Sequence, residues 1–190
     1  MNTWERFSKE VNSTFIKEFS WNSAKNEVDY KGLKIIFDNY NLWSGKFSKQ
    51  MTRIILPYYS TQNFILDIHE NSLVDRIQKI FGSQDLQIGR TDFDKRFIIK
   101  SNDGHKAATI LQNQKIRYLI ESDKSFRLLI SKNEGIWNEE LPINQYELSF
   151  YDDGEIKDLN RLESLLELFK ELTTVFIELK IIDLKNEENT

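Results

Sequence analysis

The chain has 190 residues, of which 39% are apolar and 13% aromatic, and carries a net charge of −4. That is ample material for a folded core, and the charges are interspersed, with no basic stripe that would track a nucleic-acid backbone. Cysteine is absent, which excludes disulfides, thiolate metal sites and cysteine nucleophiles.

The opening residues, "MNTWERFSKEVNST", show no cationic start followed by an apolar stretch, so no signal peptide is expected. No run reaches the roughly 18 apolar residues that read as a membrane-spanning helix. These patterns lead to the expectation of a cytoplasmic protein with no integral membrane segment and no nucleic-acid partner. The composition, rich in Asn, Lys and Ile with two prolines, suits a bacterial origin.

In chain order, Trp4, Phe7, Val11, Phe15 and Phe19 recur at spacings of three and four, which predicts a helix capped by Asn2 or Thr3. It should fade in the turn formers of "WNSAKN". Three strands follow: "YKGLKIIFDNYNLW", "SKQMTRIILPYY" and "NFILDIHE". "WSGKFS" reads as a hairpin connection, and Pro57 should end the second strand or sit at an edge. The expectation is a three-stranded antiparallel meander. "NSLVDRIQKIFG" reads as a short helix stopped by Gly82, and "SQDLQIGRTD" as a connection with room for a short strand.

"KRFIIKS" reads as a strand, and "SNDG" as a turn whose Ser101 or Asp103 caps the helix "HKAATILQ". A second short helix, "QKIRYLIES", comes next. "FRLLISK" and "QYELSFYD" are strands, joined by a polar link with a possible short strand at Ile136 and Trp137. From Leu159 to Leu184 a broad apolar face predicts a final helix of roughly 25 residues, about 38 Å long. The fold class is therefore α+β: an antiparallel sheet with an N-terminal helix, short middle helices and a long C-terminal helix packed on it. One domain is expected over residues 1–184, with a loose tail at 185–190.

Chemistry-bearing residues are sparse. His69 closes a strand and His105 opens a helix, and neither has a ligand partner by spacing. Asp92 and Asp94, two apart, share one face if extended, as a metal-binding or proton-sharing pair would. The plainer reading gives Asp92 a turn, places Asp94 outside, and sends Phe93 and Phe97 into the core. "ELK" at Glu178–Lys180 is the Glu-x-Lys pattern of metal-dependent nucleases, but it lies in a predicted helix rather than on a strand. The seven glycines include no phosphate-binding fingerprint. No catalytic residue, metal site or cofactor is therefore expected. Trp43, Phe47, Tyr58, Tyr59 and Phe64 cluster around the meander, and Trp and Tyr favour boundaries with one apolar and one wet side. Trp43, Tyr58 and Tyr59 are accordingly the candidate binding residues; the competing reading is that these aromatics roof the sheet beneath a helix.

The segments "IQKIFGSQDLQ" and "IGRTDFDKRFIIKSND" resemble the signature of an uncharacterised bacterial family. That family reads as Phe-Gly-x-Gln-Asp followed by Phe-Asp-x-x-Phe, two hydrophobic residues and Lys. The matching residues are Phe81, Gly82, Gln84, Asp85, Phe93, Asp94, Phe97 and Lys100. A module of the DUF3137 type, in which a similar segment follows membrane-anchor helices, is more distantly similar. The resemblance implies no enzyme activity and gives the motif residues structural roles.

The leading expectation is a non-catalytic binding or protein-interaction domain with a protein partner. One alternative is an immunity-type protein that neutralises a toxin, which size and acidity fit. Another is a small-ligand binder or enzyme with a site assembled from scattered residues such as Asp92, Asp94 and a histidine.

Overall fold

A computed structural model describes residues 2–17, 24–44, 47–71, 85–134 and 139–184. The first helix, α1 (Thr3–Glu10), is closed by a reciprocal cap. The Asn2 side chain accepts from the Glu5 N–H at 2.8 Å, and the Glu5 carboxylate accepts from the Asn2 N–H at 3.2 Å. The helix buries Trp4 and Phe7 and stops at Glu10, short of the predicted stripe, because Asn12 adopts φ +53 and turns the chain. Phe15 thus lies in a strand, β1 (Thr14–Ile16), while Phe19 falls outside the described residues.

The expected first strand is a hairpin. β2 (Lys25–Tyr30) and β3 (Leu33–Ser44) pair with Tyr30 opposite Leu33, leaving Lys31 and Gly32 as a two-residue turn. Both turn residues have positive φ, +52 and +82, the geometry that matches the strand twist in tight hairpins. β4 (Phe47–Tyr59) pairs with β3 and runs past Pro57 rather than ending there. The β3 ladder has already stopped at Ile55, so the missing N–H of Pro57 breaks no rung on that side.

The meander stops at β4. β5 (Leu66–Glu70), expected beside β4, is separated from it by two strands. Between them sit β10 (Gln145–Asp153) and β7 (Arg127–Ser131), and β6 (Phe97–Ser101) closes the far edge. The order β1-β2-β3-β4-β10-β7-β5-β6 is antiparallel throughout. A separate ribbon pairs β8 (Asn133–Glu134) with β9 (Glu139–Glu140); Ile136 and Trp137 lie outside the described residues. The helix expected over 71–82 also lies outside them, beyond Asn71.

One row of register partners crosses the sheet: Phe37, Ile54, Phe150, Leu128, Ile68 and Ile99, all at 0% exposure. Five helices cover this face, α1 together with α2 (Thr91–Arg96), α3 (Gly104–Gln112), α4 (Gln114–Ser122) and α5 (Leu159–Glu178). Each of them contributes buried apolar side chains to the same cluster as that row. No described helix is long and apolar enough to cross a membrane.

α5 ends earlier than its apolar content suggests. Lys180 takes φ +57, its N–H donates to the Ile177 carbonyl at 3.0 Å, and the Ile181 N–H donates to the Phe176 carbonyl at 2.8 Å. This is a Schellman closure, which folds Ile181 and Ile182 back into the core. "TDFDKR" is the helix α2, not an extended lead-in to β6, so Asp92 and Asp94 do not share a strand face. Asp94 instead accepts the N–H groups of Ile88 and Arg90, both at 2.9 Å, while Asp92 is exposed. Phe93 and Phe97 are buried, with ring centroids 4.6 Å apart, and Phe97 meets Phe126 edge-on at 6.1 Å. Phe97→Ala should therefore cost about 3–5 kcal/mol in urea unfolding; a variant melting like the wild type would contradict this placement.

Candidate functional site

Neighbouring residues on a strand point to opposite faces, and this separates Tyr58 from Tyr59. Tyr58 is buried on the helix side of β4, stacked on Tyr146 at 5.8 Å and 6.4 Å from Phe176. Among the described residues its hydroxyl has no hydrogen-bond partner, and burial pushes the phenol well above its ordinary pKa, with Tyr146 adding to the effect. Tyr58 thus belongs to the roof of the sheet rather than to a groove. At Trp43 only the backbone is described, opposite Ser48 in the β3–β4 ladder.

Tyr59 is half-buried at the end of β4, where three chain segments meet. Its hydroxyl accepts from Asn144 Nδ2 at 2.9 Å, and its carbonyl accepts from the Asp183 N–H at 2.9 Å. The next residue, Ser60, donates its N–H to the Asn144 carbonyl at 2.8 Å. Asn144 is itself part of a four-residue turn closed by the Gln145 N–H on the Pro142 carbonyl at 3.0 Å. With φ +64 it fills the turn position that needs a left-handed residue, which Asn tolerates. Gln62 adds a brace, donating to the Lys180 carbonyl at 2.7 Å and accepting from Lys106 Nζ at 2.6 Å.

This braced end displays apolar side chains. Ile143, between Pro142 and Asn144, is 89% exposed, and Leu184, beside Asp183, is 43% exposed. Both adjoin residues that bond to Tyr59. The sequence reading found Tyr59 but not Ile143. A detectable signal was present: an aliphatic residue set between the Pro and Asn of a turn lies on a connection that runs over the surface.

The histidines lie apart from this end. His105 is exposed at the start of α3, and no contact joins it to Asp92 or Asp94 among the described residues. His69 alternates with the core residues Leu66 and Ile68, so it faces away from the helices, yet it is only 2% exposed. Its Nδ1 lies 3.0 Å from Asp67 Oδ1, two residues earlier on the same face. Arg127, opposite His69 on β7, brings its NH2 group to 3.7 Å from Asp67 Oδ2, too far for a hydrogen bond. Asp67 Oδ2 and Arg127 Nε are both buried without a hydrogen-bond partner among the described residues. Further along the same face Arg53 Nε reaches both Asp38 oxygens at 3.2 Å, and Ile55 and Leu129 are buried outside the main cluster. Among the described residues no group of three or more acidic or histidine ligands converges on a metal position.

Searches of protein-family models, curated proteins and solved structures return no match for the chain. Of the motif residues named above, Phe93 and Phe97 are core, Asp94 ties the 88–90 backbone, and Phe81, Gly82 and Gln84 fall outside the described residues.

Tyr58→Phe removes a buried hydroxyl that has no partner among the described residues, so stability should stay level or rise by up to about 1 kcal/mol in thermal and urea melts. A loss greater than that would mean the hydroxyl is bonded in solution.

Proposed function

We propose that this chain is a non-catalytic protein-interaction domain that docks through the end of the sheet around Tyr59, Ile143 and Leu184. The observation that carries the reading is Ile143, an aliphatic side chain 89% exposed on a turn tied to β4 through Asn144. Burying such a side chain against a partner is worth roughly 1.5–3 kcal/mol. Little ordering cost opposes that gain, because the turn is already fixed by hydrogen bonds. Tyr59 adds an aromatic body with a polar tip, the kind of residue enriched at interface centres. An antidote that plugs a toxin would be one form of such a domain, and the acidic composition is compatible with it.

Site-specific photocrosslinking in the native cells tests the reading. With p-benzoylphenylalanine at Ile143 of the full chain, one dominant protein adduct is expected. The same probe at Ser164, exposed on α5, should give none. Equal adduct patterns from the two positions, or no adduct from Ile143, would defeat the proposal.

A further inference from the structure

We propose that one water molecule is bound between β5 and β7, on the face of the sheet away from the helices, where it donates to Asp67 Oδ2 and accepts from Arg127 Nε. This site is independent of the docking reading. Two atoms carry the proposal. Oδ2 is an acceptor and Nε a donor, both are buried, and neither has a hydrogen-bond partner among the described residues.

The backbone brings the two side chains together. His69 stands opposite Arg127 in the β5–β7 ladder, and Asp67 lies two residues before His69, so all three share one face. The carboxylate is held from its other oxygen, because Oδ1 lies 3.0 Å from His69 Nδ1. A carboxylate only accepts, so Nδ1 carries the proton of that bond. The Arg127 NH2 group stops 3.7 Å from Oδ2, beyond hydrogen-bond reach. Closing that gap through NH2 would give Oδ2 a donor and still leave Nε without an acceptor. A single water answers both needs, since it donates and accepts at once. With NH2 alongside, it has the few polar neighbours that a buried water typically finds. The Asp67 side chain is 3% exposed and that of Arg127 20%, so the carboxylate is sealed while the guanidinium leads out to solvent. Ordering the water opposes its gain in hydrogen bonding. It therefore makes the buried charges tolerable without turning the cluster into a net source of stability.

A crystal structure of the full chain, resolved well enough to place ordered water, tests the site. The expected result is one isolated density peak within about 2.7–3.2 Å of both Asp67 Oδ2 and Arg127 Nε. A direct bond from Arg127 Nε to Asp67 with no peak between them overturns the proposal. So does a protein atom in that position, or a peak that reaches only one of the two atoms.

Discussion

Strand β10 pairs along both of its edges, from Gln145 to Asp153 against β4 and from Glu147 to Phe150 against β7, and so joins two groups of strands through members, β4 and β7, that are far apart in sequence. The first group is the β1–β4 meander; the second is β5–β7 with α2, α3 and α4. Closing so long a loop costs conformational entropy before any contact rewards it. The reward is the row from Phe37 to Ile99, which is continuous only because Phe150 fills the position between Ile54 and Leu128. α5 follows directly and covers the seam with Leu162, Leu165, Leu166, Phe169, Leu172 and Phe176. Arg161 then ties α5 to the second half and to the joining strand, with its Nε 3.0 Å from Asp123 after α4 and its NH1 bonded to Asp152 on β10.

The same strand builds the docking end. Its first rung sets Gln145 opposite Tyr59, and the turn before it carries Asn144 and Ile143. The position of Ile143 is therefore inherited from the seam of the fold rather than from a free loop. The buried Asp67–His69–Arg127 cluster stands in contrast. A buried carboxylate oxygen and guanidinium nitrogen without partners among the described residues cost stability rather than supply it.

Local patterns in the sequence carried the α+β class, most strands, the middle helices and the burial of Phe93 and Phe97. They failed where a single backbone angle decides. Lys31 in a left-handed turn hides the β2–β3 hairpin inside an apolar run, and Asn12 and Lys180 stop helices whose apolar spacing continues. α2 went unseen because six residues are too few to show a helical period. Strand order was beyond reach for another reason: what places β10 between β4 and β7 is long-range complementarity, and no short window contains it. At the site, Tyr59 was visible as an aromatic at a strand end, but its separation from Tyr58 depends on which face the helices cover. The Asp67–His69 pair was legible in principle, since residues two apart on a strand share a face.

If β10 makes one cooperative unit of the two halves, native-state hydrogen exchange tests that most directly. Amides of β4, β10, β7 and β5 should exchange through a single opening, with one free energy and one denaturant dependence. Exchange of β5, β6 and β7 through a lower-energy opening that leaves β3 and β4 protected would contradict the account.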